Sequence, residues 1–265
     1  MDFLYQIQKK SPLIHMISNY VTATDTANAL LAIGASPVMS DDPLEVEEVT
    51  SIADALVLNM GTFSPAHAEA MFLAGKKAKS MGKSVILDPV GVGISRLRRE
   101  AVKRILEEIG PDIVKGNFSE MAFLAGEESR SRGVDVSEED ARKDGLSIAL
   151  KVYQKWGCVA AVTGKTDIVV FQNKAVEIYN GHPALKKMTG TGCITGGIIG
   201  AFLCIEDAFS AAVHGLMLVG LCGEKGYEKA GYLGSGSFHR AFMDALSDWT
   251  AEELEKRGKI SEIRL

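Results

Sequence analysis

The sequence predicts an α/β fold with a largely parallel central β-sheet that helices cover on both faces. Short β-branched runs alternate with longer helical patterns along most of the 265 residues, as is typical of this fold class. The run Val85-Ile86-Leu87 is apolar without interruption, which favours a strand buried on both faces. No internal repeat or linker divides the chain, so we expect one domain over residues 1–265.

The elements follow in order from hydrophobic periodicity and from turn residues. The predicted strands are 37–40, 55–59, 84–88, 112–115, 159–163, 167–171 and 175–179. The predicted helices are 2–10, 23–33, 43–52, 64–81, 96–109, 118–125, 138–156, 192–204, 207–225, 236–246 and 249–257. From about residue 188 onward we expect helices only.

Two helix starts carry capping signals. Ser64 stands before Pro65, which combines a cap residue with a helix-starting proline. Ser137 before Glu138-Glu139-Asp140 resembles a capping box. The polar, glycine-containing segment 126–136 is predicted to be a surface loop.

The charge pattern gives no sign of a nucleic-acid surface. Net charge is −5, the isoelectric point is about 5.6, and no basic block is interleaved with aromatic residues. The run Arg96-Leu97-Arg98-Arg99 leads into a helical pattern, and we interpret it as the solvated first turn of a helix. We therefore expect no nucleic-acid partner.

The apolar stretches and the cysteines predict a cytoplasmic protein. Glu206-Asp207 separates the stretches 193–205 and 208–222, and neither reaches the roughly 20 apolar residues of a membrane span. The first residues lack the apolar core of a signal peptide. The four cysteines form no C-x-x-C pair and have no histidine at zinc-ligand spacing, which favours a reducing setting without structural zinc or disulfides.

A glycine-rich segment at the start of the helical tail predicts an anion site. Gly190 and Gly192 permit backbone conformations closed to other residues and let a ligand approach closely. They precede a strong helical pattern, so free N–H groups and the positive end of the helix dipole would face the same point. From this pattern alone, a tight turn that only serves helix packing stays open as the alternative.

Other phosphate-binding motifs do not fit. The segment 162–166 ends like a P-loop, but Val159 occupies the position where that motif needs its first glycine. The segment also lies between two predicted strands. The dinucleotide-binding pattern G-x-G-x-x-G fails at 190–195 because its last position holds Thr195.

The segment Thr189-Gly190-Thr191-Gly192-Cys193 resembles the anion-hole motif of the ribokinase superfamily. In that superfamily an Asp acting as base usually follows the second glycine, and Cys at this place is typical of hydroxyethylthiazole kinases. Further blocks resemble that family in the same order, namely SPLIH (11–15), Asn19, GASPVM (34–39), LNMGT (58–62), ILDPVG (86–91), KGNFSE (115–120) and VTG (162–164). The resemblance spans about residues 11 to 246 and implies a ribokinase-like fold and a kinase of the thiamine thiazole alcohol.

The resemblance implies how the phosphoryl group is held. Gly190, Thr191, Gly192 and Cys193 would cradle the transferring γ-phosphoryl group, whose charge develops in the transition state. Gly190 would also line the thiazole pocket. Cys193 is the candidate base, with a buried apolar cysteine as the alternative.

ATP and Mg²⁺ sites are implied in the same way. Asp88, at the carboxyl end of a predicted strand, would lie near the phosphates and Mg²⁺, and Glu120 would bind Mg²⁺ through an N-x-x-E motif that begins at Asn117. Lys115 and Thr163 match ATP-contacting positions, and Lys115 stands where relatives have Arg, so a bidentate contact is lost.

Substrate contacts and assembly complete the implied picture. Asn19 and Met39 match residues of the substrate pocket, and Tyr20 departs from the second Asn common in the family. His15 and His214 are predicted to be packed, not catalytic. The family implies a homotrimer with active sites between subunits, and the expected partners are ATP and a small thiazole alcohol.

Three alternatives remain open at this point. Another kinase of the superfamily would act on hydroxymethylpyrimidine or a pyridoxal-type alcohol, but Cys193 and the block 34–39 argue against it. A hydrate dehydratase on the same fold would repair a damaged nicotinamide cofactor. A thiazole or nucleotide sensor would bind ligands without turnover, and Asp88, Glu120 and the glycine motif argue against such a protein.

Overall fold

A computed structural model describes residues 3–127 and 138–265. The predicted cap at Ser137 and most of the predicted loop 126–136 lie outside the described residues. Within them, the strands are β1 Leu13–Ile17, β2 Ser36–Met39, β3 Ala55–Asn59, β4 Ser84–Asp88, β5 Ile113–Asn117, β6 Val159–Thr163, β7 Asp167–Phe171, β8 Lys174–Ile178 and β9 Ile260–Ile263.

The helices connect these strands and then form a helical tail. They are α1 Phe3–Lys10, α2 Ala23–Ala32, α3 Val46–Ile52, α4 Pro65–Ser80, α5 Arg96–Glu108, α6 Phe118–Ala125, α7 Glu138–Trp156, α8 Thr191–Leu203, α9 Ala208–Ala230, α10 Ser235–Leu246 and α11 Ala251–Arg257. Short 3₁₀ helices occupy Pro183–Lys187 and Gly231–Leu233. Ser64 caps α4 as predicted, because its hydroxyl accepts a hydrogen bond from the His67 N–H at 3.2 Å.

One mostly parallel sheet runs through the described residues in the order β2-β1-β3-β4-β5-β6-β7-β8-β9. The strands from β2 to β6 are parallel, and β7, β8 and β9 add antiparallel pairs. The register pairs Asn59 with Asp88 and Asn117 with Thr163. The parallel strands therefore end along one edge, where sheets of this kind bind ligands.

Apolar side chains on both faces of the sheet confirm the predicted layers. Along β3, Ala55 and Val57 belong to one buried cluster, and Leu56 and Leu58 belong to the other. The first cluster holds side chains from α2, α8, α9 and α10, and the second holds side chains from α4, α5, α6 and α7. No helix of the described residues is long and apolar enough to cross a membrane.

Two strands were missed in the sequence. His15 interrupts the apolar pattern of β1, yet it is fully buried: its Nε2 donates to the Ser40 carbonyl (2.9 Å), and its Nδ1 accepts from the Thr50 hydroxyl (2.9 Å). Burial lowers the pKa of His15 and keeps the ring neutral. The prediction of helices only after residue 188 was wrong at β9, an exposed half-polar strand that depends on pairing with β8.

Candidate active site

Polar side chains from distant parts of the chain meet at the carboxyl edge of the sheet, beside the start of α8. The Cys193 thiol lies within hydrogen-bond range of two side-chain amides, at 3.1 Å from Asn19 Nδ2 and 3.3 Å from Asn59 Nδ2. Asn59 also donates to Asp88 Oδ2 at 2.8 Å and accepts from Asn19 Nδ2 at 2.9 Å. Asn59 thus links the candidate base to the candidate metal ligand.

Lys115 forms a buried ion pair with Asp88. The Lys115 Nζ lies 2.9 Å from Asp88 Oδ2, and each side chain is only 3% exposed. Burial opposes the charge of Lys115, but the Asp88 carboxylate outweighs it and raises the pKa of the lysine, which stays charged. The same ammonium donates to the Gly192 carbonyl at 2.9 Å. Lys115 therefore ties Asp88 to the glycine-rich turn.

The glycine-rich turn leads directly into α8. Gly190 has φ of +86°, and a Cβ at this position would lie 2.6 Å from the Cγ2 of Thr22. The Ile194 N–H bonds back to the Gly190 carbonyl at 2.9 Å. The amides of Thr191, Gly192 and Cys193 belong to the first turn and have no acceptor within the helix. A helix start of this kind binds anions.

Backbone amides hold the Glu120 carboxylate in place. Glu120 Oε2 accepts from the Asn117 N–H at 2.8 Å, and Asn117 Oδ1 accepts from the Glu120 N–H at 3.0 Å, which completes a capping box on α6. Glu120 Oε1 accepts from the Gly91 N–H at 3.0 Å. Burial and the negative charge of Asp88 raise the pKa of Glu120. Two carboxylates that repel each other in one cavity favour a cation between or beside them.

Asp88 and Glu120 are the carboxylates that could hold a cation at this edge of the sheet. Among the described residues, no group of three or more His, Cys, Asp or Glu side chains is placed to hold a metal ion. Asp88 and Glu120 line the same cavity. Magnesium commonly takes one or two carboxylates and completes its shell with water and substrate phosphates.

Two cavities meet at the glycine-rich turn. The larger cavity, about 590 Å³, extends from Gly190 and Thr163 past His182 to Leu216 and Val219. The smaller cavity, about 460 Å³, contains the cluster around Cys193. The walls of both include Asn117, Thr163, Gly190 and Gly192. Ligands in the two cavities would therefore meet at the glycine-rich turn.

Asp167 shapes the turn between β6 and β7 in the wall of the larger cavity. Its Oδ1 accepts from the Gly164 N–H at 2.8 Å, one residue after Thr163. Burial raises the pKa of Asp167 to about 7, and the Gly164 amide and Lys115 oppose this rise only partly. The segment 162–166 covers the end of β6 and the turn into β7 and does not precede a helix, which agrees with the rejection of a P-loop.

We expect Asp167→Asn to flatten the pH dependence of stability between about pH 4 and pH 7. The wild-type carboxyl stays protonated to a higher pH in the folded chain than in the unfolded chain, so the folded state binds more protons in this range and loses stability as pH rises. One pKa unit corresponds to about 1.4 kcal/mol, which limits the effect to a few kcal/mol. Urea unfolding at several pH values measures it, and unchanged slopes in the variant would contradict the assignment.

The structure brings most of the predicted site residues together. Asn19, Asp88, Lys115, Glu120, Thr163, Gly190, Gly192 and Cys193 line the smaller cavity, and Thr191 lines the larger one. Met39 ends the edge strand β2, is half-buried against the core, and is not among the residues that line either cavity.

Two residues of the site were missed or misinterpreted in the sequence. Asn59 was given no role, although it ends a strand beside Asp88 and could have been found by that position. The prediction of a solvated turn was wrong for Arg98, whose guanidinium donates to the Val90 carbonyl at 2.7 Å and the Gly61 carbonyl at 2.6 Å. Arg96 is exposed and pairs with Glu100, as a solvated first turn requires.

Comparison with known proteins gives one consistent result. The model of the hydroxyethylthiazole kinase family matches residues 4–252. A hydroxyethylthiazole kinase from Clostridium beijerinckii is 45% identical over 99% of this chain and 96% of its own, and one from Pyrococcus furiosus is 41% identical over 100% and 98%. The solved hydroxyethylthiazole kinase of Pyrococcus horikoshii OT3 superposes with a TM-score of 0.90 at 35% identity, covering 99% and 98% of the two chains.

A more distant structure supports the fold alone. Pyridoxal kinase from Staphylococcus aureus, solved with AMP-PCP and pyridoxal, superposes with a TM-score of 0.62 at 15% identity over 80% of this chain and 87% of that one. The ribokinase-like fold, the glycine-rich turn between two cavities and the full-length similarity lead to the same conclusion. The chain belongs to the hydroxyethylthiazole kinase family.

Proposed function

We propose that the chain transfers the γ-phosphoryl group of ATP to the primary alcohol of 4-methyl-5-(2-hydroxyethyl)thiazole, in the synthesis or salvage of thiamine. The observation that carries this proposal is the position of the Gly190–Gly192 turn, whose amides lie between a large and a small cavity. The larger cavity suits a nucleotide and the smaller one a small alcohol. A phosphoryl group moving between them would pass the start of α8.

The chain's own groups supply the chemistry. A bond forms between the alcohol oxygen and the γ-phosphorus as the bond to the β–γ bridging oxygen breaks, and ADP leaves. Charge on the transferring group is stabilised by the amides of Thr191, Gly192 and Cys193, which are fixed in place before the reaction. Cys193 acts as the base that receives the hydroxyl proton. Because the transition state is loose, this proton transfer contributes modestly.

Magnesium belongs to this proposal, and Asp88 and Glu120 would hold it, in part through water. Bound there with the nucleotide, the ion would neutralise charge on the phosphate oxygens. Asp88 is oriented by Lys115 and Asn59, and Glu120 by the amides of Asn117 and Gly91. These bonds keep both carboxylates directed at the cavity before any ligand arrives.

A homotrimer with active sites between subunits is also part of the proposal. Met39 would contact the thiazole only if the pocket extends beyond the smaller cavity, toward the edge strand β2. The segment from β1 to α3 exposes several large apolar side chains, which supports a covered surface there. They are Tyr20, Val21, Leu31, Leu44 and Ile52. Light scattering should give the mass of three 28.4 kDa chains, and a monomer would contradict this part.

The function is tested by following ADP formation with the thiazole alcohol, with and without Mg²⁺. Pyridoxal and hydroxymethylpyrimidine serve as competing alcohols, and a hydrated nicotinamide cofactor tests the dehydratase alternative. We expect Mg²⁺-dependent turnover that prefers the thiazole. Faster turnover of another alcohol, or no phosphate transfer at all, would overturn the proposal. A cytoplasmic location remains a prediction.

We expect Cys193→Asp to keep or raise activity, because a carboxylate at this helix start would accept the alcohol proton and the same two amide hydrogen bonds from Asn19 and Asn59. Cys193→Ala should lower kcat by about tenfold or less, since the phosphoryl cradle is unaffected. The buried Cys158, which directly precedes β6 and lines neither cavity, provides the control Cys158→Ala. A folded Cys193→Asp protein without turnover would show that Cys193 is not in the position of the base.

A further inference from the structure

Arg98, in the first turn of α5, directs its guanidinium at two active-site loops. It donates to the carbonyls of Met60 and Gly61 in the loop after β3, and to the carbonyl of Val90 in the loop after β4. Nη2 lies 2.6 Å from the Gly61 carbonyl oxygen, and Nη1 lies 2.7 Å from the Val90 carbonyl oxygen. Within the described part of the chain its hydrogen-bond acceptors are backbone carbonyls, so the charge is not used for an ion pair.

In each loop, a single peptide group connects Arg98 to a side chain of the active site. The Met60 carbonyl and the Gly61 N–H belong to one peptide, and that N–H donates to Asn59 Oδ1 at 3.1 Å. The Val90 carbonyl and the Gly91 N–H belong to another, and that N–H donates to Glu120 Oε1 at 3.0 Å. Two peptides therefore stand between one guanidinium and two side chains of the active site.

We propose that Arg98 is a positioning residue that fixes both peptides and thereby orients Asn59 and Glu120. A cation on a carbonyl polarises its peptide and strengthens the hydrogen bond of the N–H at the other end. Asn59 in turn holds Asp88 and contacts Cys193. One side chain outside the cavity thus sets the geometry of both carboxylates.

This inference rests on the proposed Mg²⁺ role of Glu120, so its effect on turnover should depend on the metal. Groups that orient metal ligands typically change metal affinity or activity by about 10- to 100-fold. We expect Arg98→Met to lower kcat by about tenfold or more and to raise the Mg²⁺ concentration needed for half-maximal rate. Arg98→Lys keeps the charge but loses the planar fork, and we expect an intermediate effect.

Arg99 offers a matched control. It is the next residue of α5, is half-buried, and among the described residues donates to the Gly93 carbonyl at 3.1 Å. Arg99→Met should behave like wild type in kcat, Mg²⁺ dependence and thermal unfolding. Hydrogen-exchange mass spectrometry adds a readout that needs neither metal nor substrate: the peptides that contain Gly61 and Gly91 should exchange faster in Arg98→Met and not in Arg99→Met.

The outcomes separate this inference from the proposed metal role. Unchanged exchange at Gly61 and Gly91 in Arg98→Met, or a kcat loss no larger than in Arg99→Met, would overturn the role of Arg98. A Glu120→Gln variant with wild-type Mg²⁺ dependence would instead overturn the metal role of Glu120, and the exchange data would still test whether Arg98 fixes the two peptides.

Discussion

Asp88→Asn should abolish most of the activity and also destabilise the fold. The substitution removes a carboxylate that would bind Mg²⁺ and leaves the ammonium of Lys115 buried without its counter-charge. Breaking a buried ion pair from one side costs about 3–5 kcal/mol of the free energy of unfolding. Loss of one electrostatic group at a phosphoryl-transfer site lowers kcat by about 10²- to 10³-fold. Urea unfolding and the ADP assay measure the two effects separately.

A second substitution distinguishes the two causes. In the double variant Asp88→Asn with Lys115→Met, the unpaired charge is gone, so we expect most of the stability to return while activity stays low. Asp112→Asn is the matched control, because Asp112, just before β5, pairs with Lys79 of α4 at 2.7 Å and both side chains are about one third exposed. This substitution should lower the free energy of unfolding by about 1 kcal/mol or less, without a change in kcat. Wild-type kcat in Asp88→Asn would disprove a role for this carboxylate in the reaction.

Gly190→Ala should lower kcat by about 10²-fold, because it displaces the turn that lines both cavities. A displacement of about 1 Å in a reacting arrangement is enough for a loss of this size. The new Cβ would meet Thr22 at 2.6 Å from Cγ2 and 2.9 Å from Cβ, and alanine disfavours the φ of +86°. The turn must therefore move away from Thr22.

Gly157→Ala separates backbone strain from displacement of the turn. Gly157 has φ of +70° with no atom within 4 Å of an added Cβ, so this variant carries the strain of about 1–2 kcal/mol without a clash. We expect it to lose stability and keep its kcat. Adding Thr22→Ser to Gly190→Ala removes the nearest methyl group and keeps the hydroxyl that bonds Asn19, so part of the activity should return. Equal kcat values in Gly190→Ala and Gly157→Ala would contradict this account.

Several features of the site follow from local rules. Asp88 was placed at the ligand edge because it ends an apolar strand, and Gly190 was identified because glycines stood before a helical pattern. The Asn117–Glu120 spacing was recognised as a motif, and the capping box explains why the two residues stand three positions apart. Such predictions need only residues that are close in the sequence, because these residues determine hydrophobic periodicity, turns and helix ends.

Other features depend on residues far apart in the chain. Lys115 was predicted to contact ATP phosphates. In the structure its ammonium pairs with Asp88 and donates to the Gly192 carbonyl. The strand β1 forms around a polar His15 because Ser40 and Thr50 satisfy the ring. No local pattern at residue 15 reveals those partners.

By itself, the sequence determined the α/β layers, the position of the glycine-rich turn before a helix, and the family. Only the tertiary structure decided which side chains act as a unit: Asn19 reaches Cys193 across 174 positions, and Arg98 reaches the Met60 carbonyl across 38. The physical reason is that these interactions differ in how many residues along the chain they span and in how strictly they depend on direction. Periodicity and capping arise within a few residues, whereas a hydrogen bond needs a donor and an acceptor about 3 Å apart and well aligned, which distant segments achieve only after they pack.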